Sequence, residues 1–301
     1  MANGSPVINE RLSSSTSFCI LYGNCYYADG KEYLRMNVQV GFIGCGNMAA
    51  AMIGGIIKSK LIVPSHIHAS NTSYEKLQNM HAQYGINITQ DNKLVAQKAD
   101  IIVLAVKPHK YEHIMKELRT VYVDNKIYIS IAPGKTLSFL EMGLGTHAKI
   151  IRTMPNTPAL VGAGITAVCP NQNVTDAELA TVISILNTFG KTEQIEEALF
   201  DAIVAVSGSS PAYIFMLIEA MADAAVMQGL ARKQASLFAA QAVFGSAKMV
   251  LETAKHPAEL KEMVCSPGGT TIEAVAVLEK QGFRAAVIDA MAACAQKSKQ
   301  M

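Results

Sequence analysis

Between Val38 and Ala49 an apolar run gives way to a helical pattern across two glycines, Val38-Gln-Val-Gly-Phe-Ile-Gly44-Cys-Gly46-Asn-Met-Ala49. Val38 to Ile43 reads as a buried strand and Asn47 to Lys58 as a helix. Gly44 permits a tight turn, Gly46 lets a ligand approach the backbone without a Cβ in the way, and the small Ala49 lets the helix lie close to the strand. The spacing is G-x-G-x-x-A, set between a strand and a helix whose N-terminal amides face an anion. In that context the turn predicts a dinucleotide site in a Rossmann-type sheet.

From Met36 onward apolar strands alternate with helix-length segments, as in a parallel sheet covered on both faces. The expected strands are 38–43, 67–70, 101–106, 127–131, 149–153, 164–168 and a short one before Glu196. The helices between them cover 47–58, 74–83, 91–98, 110–119 and 176–189. After Leu199 strand signals stop, and helices are expected at 202–206, 211–227, 233–253, 259–264, 271–280 and 283–295. The fold class is therefore an α/β Rossmann domain, residues 36–196, followed by an all-α domain, residues 197–301. Residues 1–35 read differently. A Ser/Thr cluster (Ser13 to Ser17) and the short apolar stretch Phe18 to Tyr22 are too slight for a secretory signal, so this segment is expected to be a disordered or non-native extension.

Composition excludes some classes. Lys plus Arg number 26 against 24 for Asp plus Glu, which leaves no charge to drive binding to nucleic acid or an anionic membrane. The apolar run 214–231 is interrupted by Glu219 and Asp223, so no membrane span is expected. Six cysteines without a C-x-x-C pair fit neither a zinc knuckle nor a disulfide framework, and point to a reducing cytoplasm. His109 and His113 have helical i, i+4 spacing but no third ligand, so no metal is expected. Met216, Met221 and Met227 read as helix packing.

Other segments bear on ligands. The second strand ends in Ala69-Ser-Asn71-Thr72-Ser73, without the carboxylate that would bind ribose hydroxyls in an NAD site. Asn71, Thr72 and Lys76 can donate to a 2′-phosphate, which favours NADPH and leaves NADH compatible; they also read as a helix-capping cluster. Lys107 follows the strand 101–106 at its carboxyl end, either as a ligand-facing cation or as a solvated loop residue. Cys265-Ser-Pro-Gly-Gly-Thr-Thr271 opens a helix with several amides and three hydroxyls, which suits a substrate carboxylate or a plain Pro-Gly turn with a Thr cap. Ser207-Gly-Ser-Ser-Pro211 reads first as helix-start chemistry.

With these segments assembled, the chain resembles the pyrroline-5-carboxylate reductases from about Met36 to its C-terminus. The resemblance rests on Phe42-Ile-Gly-Cys-Gly-Asn-Met48, Ala105-Val-Lys-Pro108, Arg152-Thr-Met-Pro-Asn-Thr-Pro158, Ser207-Gly-Ser-Ser-Pro-Ala-Tyr213 and Ser266-Pro-Gly-Gly-Thr-Thr271. It implies reduction of 1-pyrroline-5-carboxylate to L-proline, the last step of proline biosynthesis, by hydride from NAD(P)H. It also implies that the helical domain makes a homodimer, often within a ring of dimers. Cofactor contacts then fall on Gly44, Cys45, Gly46, Asn47, Met48, Asn71, Asn92, Val106, Lys107, Ala132 and Pro133. Substrate contacts fall on Glu197, Ser266, Gly268, Gly269, Thr270 and Thr271, with the Thr271 hydroxyl as the catalytic group near the ring nitrogen. Two residues depart from the family pattern: Ser210, where glycine is usual, and Pro133, where alanine is common.

Two other readings make different demands. A β-hydroxyacid dehydrogenase needs a catalytic lysine from the helical half, and Lys248 offers one, but with Glu252 at i+4 it matches an exposed helix pair. A dinucleotide-sensing regulator explains the glycine turn and leaves the 266–271 turn without a task.

Overall fold

Four short segments have every residue buried: β3 (Val40–Ile43), β4 (Ile67–Ser70), β6 (Ile101–Leu104) and β7 (Ile127–Ser130). Strands buried on both faces belong in the middle of a sheet covered by helices above and below. The protein is described by a computed structural model covering residues 23–28, 31–121 and 125–300. With β5 (Asn87–Thr89), β8 (Lys149–Met154), β9 (Gly164–Pro170) and β10 (Gly190–Gln194), these strands form one eight-stranded sheet in the order β10-β9-β8-β7-β6-β3-β4-β5. From β5 to β8 the order is that of a doubly wound dinucleotide fold, all parallel.

Alternation along each strand divides the core. Ile101 and Val103 face a cluster that includes Met52, Ile53 and Ile56 of α1 (Asn47–Ser59), Leu77 of α2 (Tyr74–Tyr84) and Val182 and Ile185 of α6 (Asp176–Leu186). Ile102 and Leu104 face Val95 of α3 (Asn92–Lys98), Tyr111, Ile114 and Leu118 of α4 (Tyr111–Arg119), and Leu140 of α5 (Leu137–Leu144). Burying each such side chain is worth about 1.5–3 kcal/mol, which makes the two faces the main source of this half's stability.

Three differences from the sequence expectation have physical causes. The sheet is not wholly parallel: β9 runs antiparallel to β8, because the short link from Met154 to Gly164 holds only the 3-10 turn Thr157–Val161. A parallel return needs a crossover of a dozen residues or more. Helix α5 was not anticipated; it is eight residues long and includes Gly143, where a Cβ would lie 2.4 Å from the Met115 side chain. The helix expected to reach residue 189 ends at Leu186 and tightens into a 3-10 turn.

Within the segment expected to be an extension, β1 (Gly23–Ala28) and β2 (Lys31–Met36) pair antiparallel, Gly23 opposite Met36. Met36 closes this hairpin, is buried, and donates its amide to Leu61 O at 2.8 Å. Residues 1–22 lie outside the described residues.

The chain divides into two compact units, one ending with the short helix α7 (Phe200–Ile203) and the other running from Val204 to Gln300. The second begins with a π turn, Val204–Gly208, and contains α8 (Ser210–Met227), α9 (Arg232–Thr253), α10 (Pro257–Val264), α11 (Thr270–Lys280) and α12 (Phe283–Ser298). Its buried core is small, built on Ala222, Ala235 and Ala239. Phe215, Met216, Leu237, Phe238, Phe244 and Leu251 stand exposed. The run 197–227 is long and apolar enough, at mean hydropathy 1.5, to cross a membrane by length and composition, contrary to the expectation that Glu219 and Asp223 would disqualify it. Only 11% of its most apolar window is buried within the chain.

Candidate active site

The sheet order reverses between β3 and β6, where the chain leaves to opposite sides and opens a crevice at the carboxyl ends of the strands. Gly44 turns the chain there with φ 101°, and a Cβ on it would lie 2.5 Å from Ala105 O. Gly46 differs. Its extended backbone (φ −86°, ψ −177°) suits any residue, and a Cβ would meet nothing within 4 Å. The protein itself therefore does not require glycine at position 46, and the room serves a group from outside. Gly46 also caps α1 without a side-chain hydrogen bond, and α1 has no acidic residue in its first turn. Its amides and positive dipole end are thus left for an anion.

The crevice has a volume of about 880 Å³. Its walls are the turn 44–49, Asn71 to Ser73 with Lys76, Ala105 to Pro108 with Lys110, Ile131 to Pro133, and Thr157 and Leu160. Among the described residues, Lys76, Lys107 and Lys110 and no carboxylate line it. Of the predicted cofactor residues, Gly44, Cys45, Gly46, Asn47, Met48, Asn71, Val106, Lys107, Ala132 and Pro133 all lie in this lining. Asn92 does not. Its carboxamide accepts from Ser70 Oγ at 2.7 Å and donates to Glu117 Oε2 at 2.9 Å, tying α3 to β4 and α4. The polar cluster after β4 divides its labour: Ser73 caps α2 by accepting from Lys76 N, while Asn71 and Thr72 line the crevice. Burial pushes the Cys45 thiol up to about 11, which keeps it protonated and unreactive.

Buried hydroxyls fix the strand ends beneath. Tyr111 donates to Leu104 O at 2.7 Å and accepts from Ser130 Oγ at 3.1 Å, and Thr153 Oγ1 donates to Ser130 O at 2.9 Å. Glu197, expected at substrate, is half-buried in this same unit. Its Oε1 accepts from Arg152 Nη1 at 2.8 Å and from Leu137 N at 2.7 Å. Arg152 has no expected role from the sequence beyond its place in a family motif; the signal for one is an arginine between Ile151 and Thr153 in a buried strand.

In the helical unit, Gly268 takes a left-handed φ of 64° and Gly269 N donates to Ser266 O at 3.0 Å, closing the turn before α11. Gly269, not a threonine, is the cap, and no side chain closes the helix N-terminus. Ser266, Gly268 and Thr270 are exposed, and Gly269 and Thr271 half-buried. Glu273 lies in the first turn of α11.

Residues 197–301 match the family model described as pyrroline-5-carboxylate reductase dimerisation, and residues 39–134 match the one described as NADP oxidoreductase, coenzyme F420-dependent. The pyrroline-5-carboxylate reductase of Escherichia coli K12 is 54% identical over 266 residues, covering 88% of this chain and 99% of that one. The chain belongs to the pyrroline-5-carboxylate reductase family. Among solved members, the reductase from Coxiella burnetii is 38% identical with a TM-score of 0.81, covering 87% of this chain and 98% of that one. The Plasmodium falciparum pyrroline carboxylate reductase, solved with NADP bound, is 33% identical with a TM-score of 0.81, covering 88% and 98%. As a pyrroline-5-carboxylate reductase, the chain reduces 1-pyrroline-5-carboxylate to proline with NAD(P)H.

The two departures from the reductase pattern are accommodated locally. Ser210 Oγ donates to Val206 O at 2.8 Å, closing the π turn before α8, and Pro133 lines the crevice beside buried Ala132. The helix-start reading of 207–211 agrees with Pro211 in the first turn of α8. Lys248 is an exposed helix residue 3.6 Å from Glu252, as its spacing indicated. His109 and His113 are both exposed, around the start of α4.

Proposed function

We propose that the crevice binds NADPH and that the Ser266–Thr271 turn holds the carboxylate of the cyclic imine. The observation that carries the cofactor half is the uncapped N-terminus of α1 beside the open Cβ direction of Gly46: donors for a pyrophosphate, and room for it to approach. When bound, the reduced nicotinamide supplies the hydride. The amides at Gly44 to Met48 hold the pyrophosphate, and Val106, Lys107, Ala132 and Pro133 flank the rest of the cofactor. Asn71, Thr72 and Lys76 receive a 2′-phosphate, and the absence of a lining carboxylate removes the repulsion it would meet. NADH fits the same seat without that contact.

In the helical unit the task is orientation. The Ser266 hydroxyl and the amides following Gly268 hold the substrate carboxylate, aided by Gly269 and Thr270. The Thr271 hydroxyl hydrogen-bonds at the ring nitrogen and supports the protonated imine, the better hydride acceptor. One hydride to carbon and one proton on nitrogen convert the C=N bond to the amine, so no lysine or histidine nucleophile is needed.

The helical unit forms a homodimer in this reading, since Phe238, Phe244 and Leu251 stand exposed on it and its residues match a dimerisation model. A ring of such dimers is the larger assembly the family resemblance implies. Among the described residues Cys45, Cys169, Cys265 and Cys294 are free thiols, which suits a reducing cytoplasm.

The test is NADPH oxidation with 1-pyrroline-5-carboxylate, alongside cofactor binding. Ser266→Ala and Thr271→Ala should lower turnover, Thr271→Ala by about a hundredfold, with NADPH affinity retained. Unchanged rates in both variants would remove the substrate turn from the mechanism.

A further inference from the structure

We propose that Tyr111 is a positioning residue for the cofactor crevice: its hydroxyl takes the place of the last rung between β6 and β7 and so sets the spacing of the two walls that leave those strands. This rests on the crevice being the NADPH site. One wall, Ala105 to Pro108, follows β6, and the other, Ile131 to Pro133, follows β7.

On the other side of β6 the rungs of the sheet continue past the strand ends. Ala105 N donates to Ile43 O at 2.8 Å, and Gly44 N to Ser70 O at 2.8 Å. Strands β6 and β7 pair as far as Leu104 and Ser130. The next rung of that parallel ladder would run from Ile131 N to Leu104 O. Among the described residues this backbone bond is not made.

The Tyr111 hydroxyl stands there. It donates to Leu104 O at 2.7 Å and accepts from Ser130 Oγ at 3.1 Å, and the amides of Ile131 and Ala132 are directed at the same oxygen. A phenol oxygen set between a carbonyl and the amide that would otherwise reach it holds the two chains further apart than a direct rung, and still gives the buried carbonyl its donor. The spacer is rigid, because the ring is fully buried in the cluster with Ile102, Ile114 and Leu140. Tyr111 is absent from the crevice lining, so it acts on the cofactor through the walls and not by contact.

The experiment compares wild type, Tyr111→Phe, Ser130→Ala and Ile114→Val by NADPH fluorescence titration, thermal melting and amide hydrogen exchange. Ile114→Val trims the same buried cluster without touching the hydroxyl. Tyr111→Phe should weaken NADPH binding about three- to tenfold and speed exchange at Ile131 and Ala132. Ser130→Ala, which removes one partner of the hydroxyl, should fall between it and wild type, and it decides alone should Tyr111→Phe fail to fold. Ile114→Val should melt lower than wild type and bind NADPH as wild type does. A Tyr111→Phe variant with wild-type NADPH affinity, or an equal loss of affinity in Ile114→Val, overturns the proposal and leaves the crevice assignment standing. A wild type that fails to bind NADPH overturns the crevice assignment itself and this inference with it.

Discussion

A Cβ at Gly44 would press on the Ala105 carbonyl oxygen at 2.5 Å, whereas one at Gly46 reaches open space. The two glycines of one fingerprint therefore answer to different demands, the first to the fold and the second to a ligand. Gly44→Ala forces a side chain into φ 101° and into that contact, and should lower stability by about 3 kcal/mol. Gly46→Val should leave the unfolding free energy within about 0.5 kcal/mol of wild type and weaken NADPH binding by at least about tenfold. Denaturant melts with fluorescence titrations on both variants check the pair; a destabilised Gly46→Val that still binds NADPH would reverse the assignment. The sequence shows both glycines equally, and only their surroundings separate them.

At the scale of elements, the crevice depends on how strand ends are tied. Tyr111 of α4 reaches back to Leu104 O at the end of β6 and meets Ser130 Oγ at the end of β7. Burial pushes its pKa up to about 12, so the folded state keeps a proton that the unfolded chain releases from about pH 10 upward. The unfolded state binds fewer protons in that window, so stability falls as pH rises from about 10 to 12 and is fully present below it. The Cys45 thiol, raised by burial from 9.0 to about 11, acts with the same sign one unit lower. Tyr111→Phe should cost about 1–2 kcal/mol at neutral pH and make the alkaline decline shallower above pH 10, measured by urea unfolding across pH. An equal decline in wild type and variant would rule out Tyr111 as its source.

The element scale also shows what pattern reading recovers. Helix α9 was visible from its length, 22 residues without a proline and rich in helix formers, and β6 from an unbroken run of four apolar residues. Helix α5 and β5 were not, being eight and three residues long with too few turns or alternations to declare a period. The reversal of β9 was hidden for another reason: strand direction follows from the length and path of a connection, and buried β8 and β9 carry similar apolar residues either way.

For the whole molecule, the helical unit presents Phe215, Leu237, Phe238, Phe244 and Leu251 to solvent around a core built on three alanines. A second copy that covers these residues makes folding of that unit depend on protein concentration. The melting temperature should rise with protein concentration in wild type. Leu237→Glu with Phe244→Glu should shift the sedimentation profile toward monomer and abolish that dependence. A concentration-independent melting temperature together with a monomeric wild type would contradict the dimer.

The sequence by itself determined the strand-turn-helix at Gly44 to Ala49, the alternation that makes a Rossmann sheet, the helical second half, and the family motifs that name the substrate. Each is a local pattern, legible because backbone period and turn chemistry act over a few residues. Tertiary structure decided what depends on partners distant in the chain. It set Asn92 to hold Ser70 and Glu117 outside the crevice lining, and it brought Glu197 to Leu137 and to Arg152, 60 and 45 residues away. A side chain's role at a site is set by the donors and charges that folding brings within about 3 Å of it, and spacing along the chain does not encode that distance.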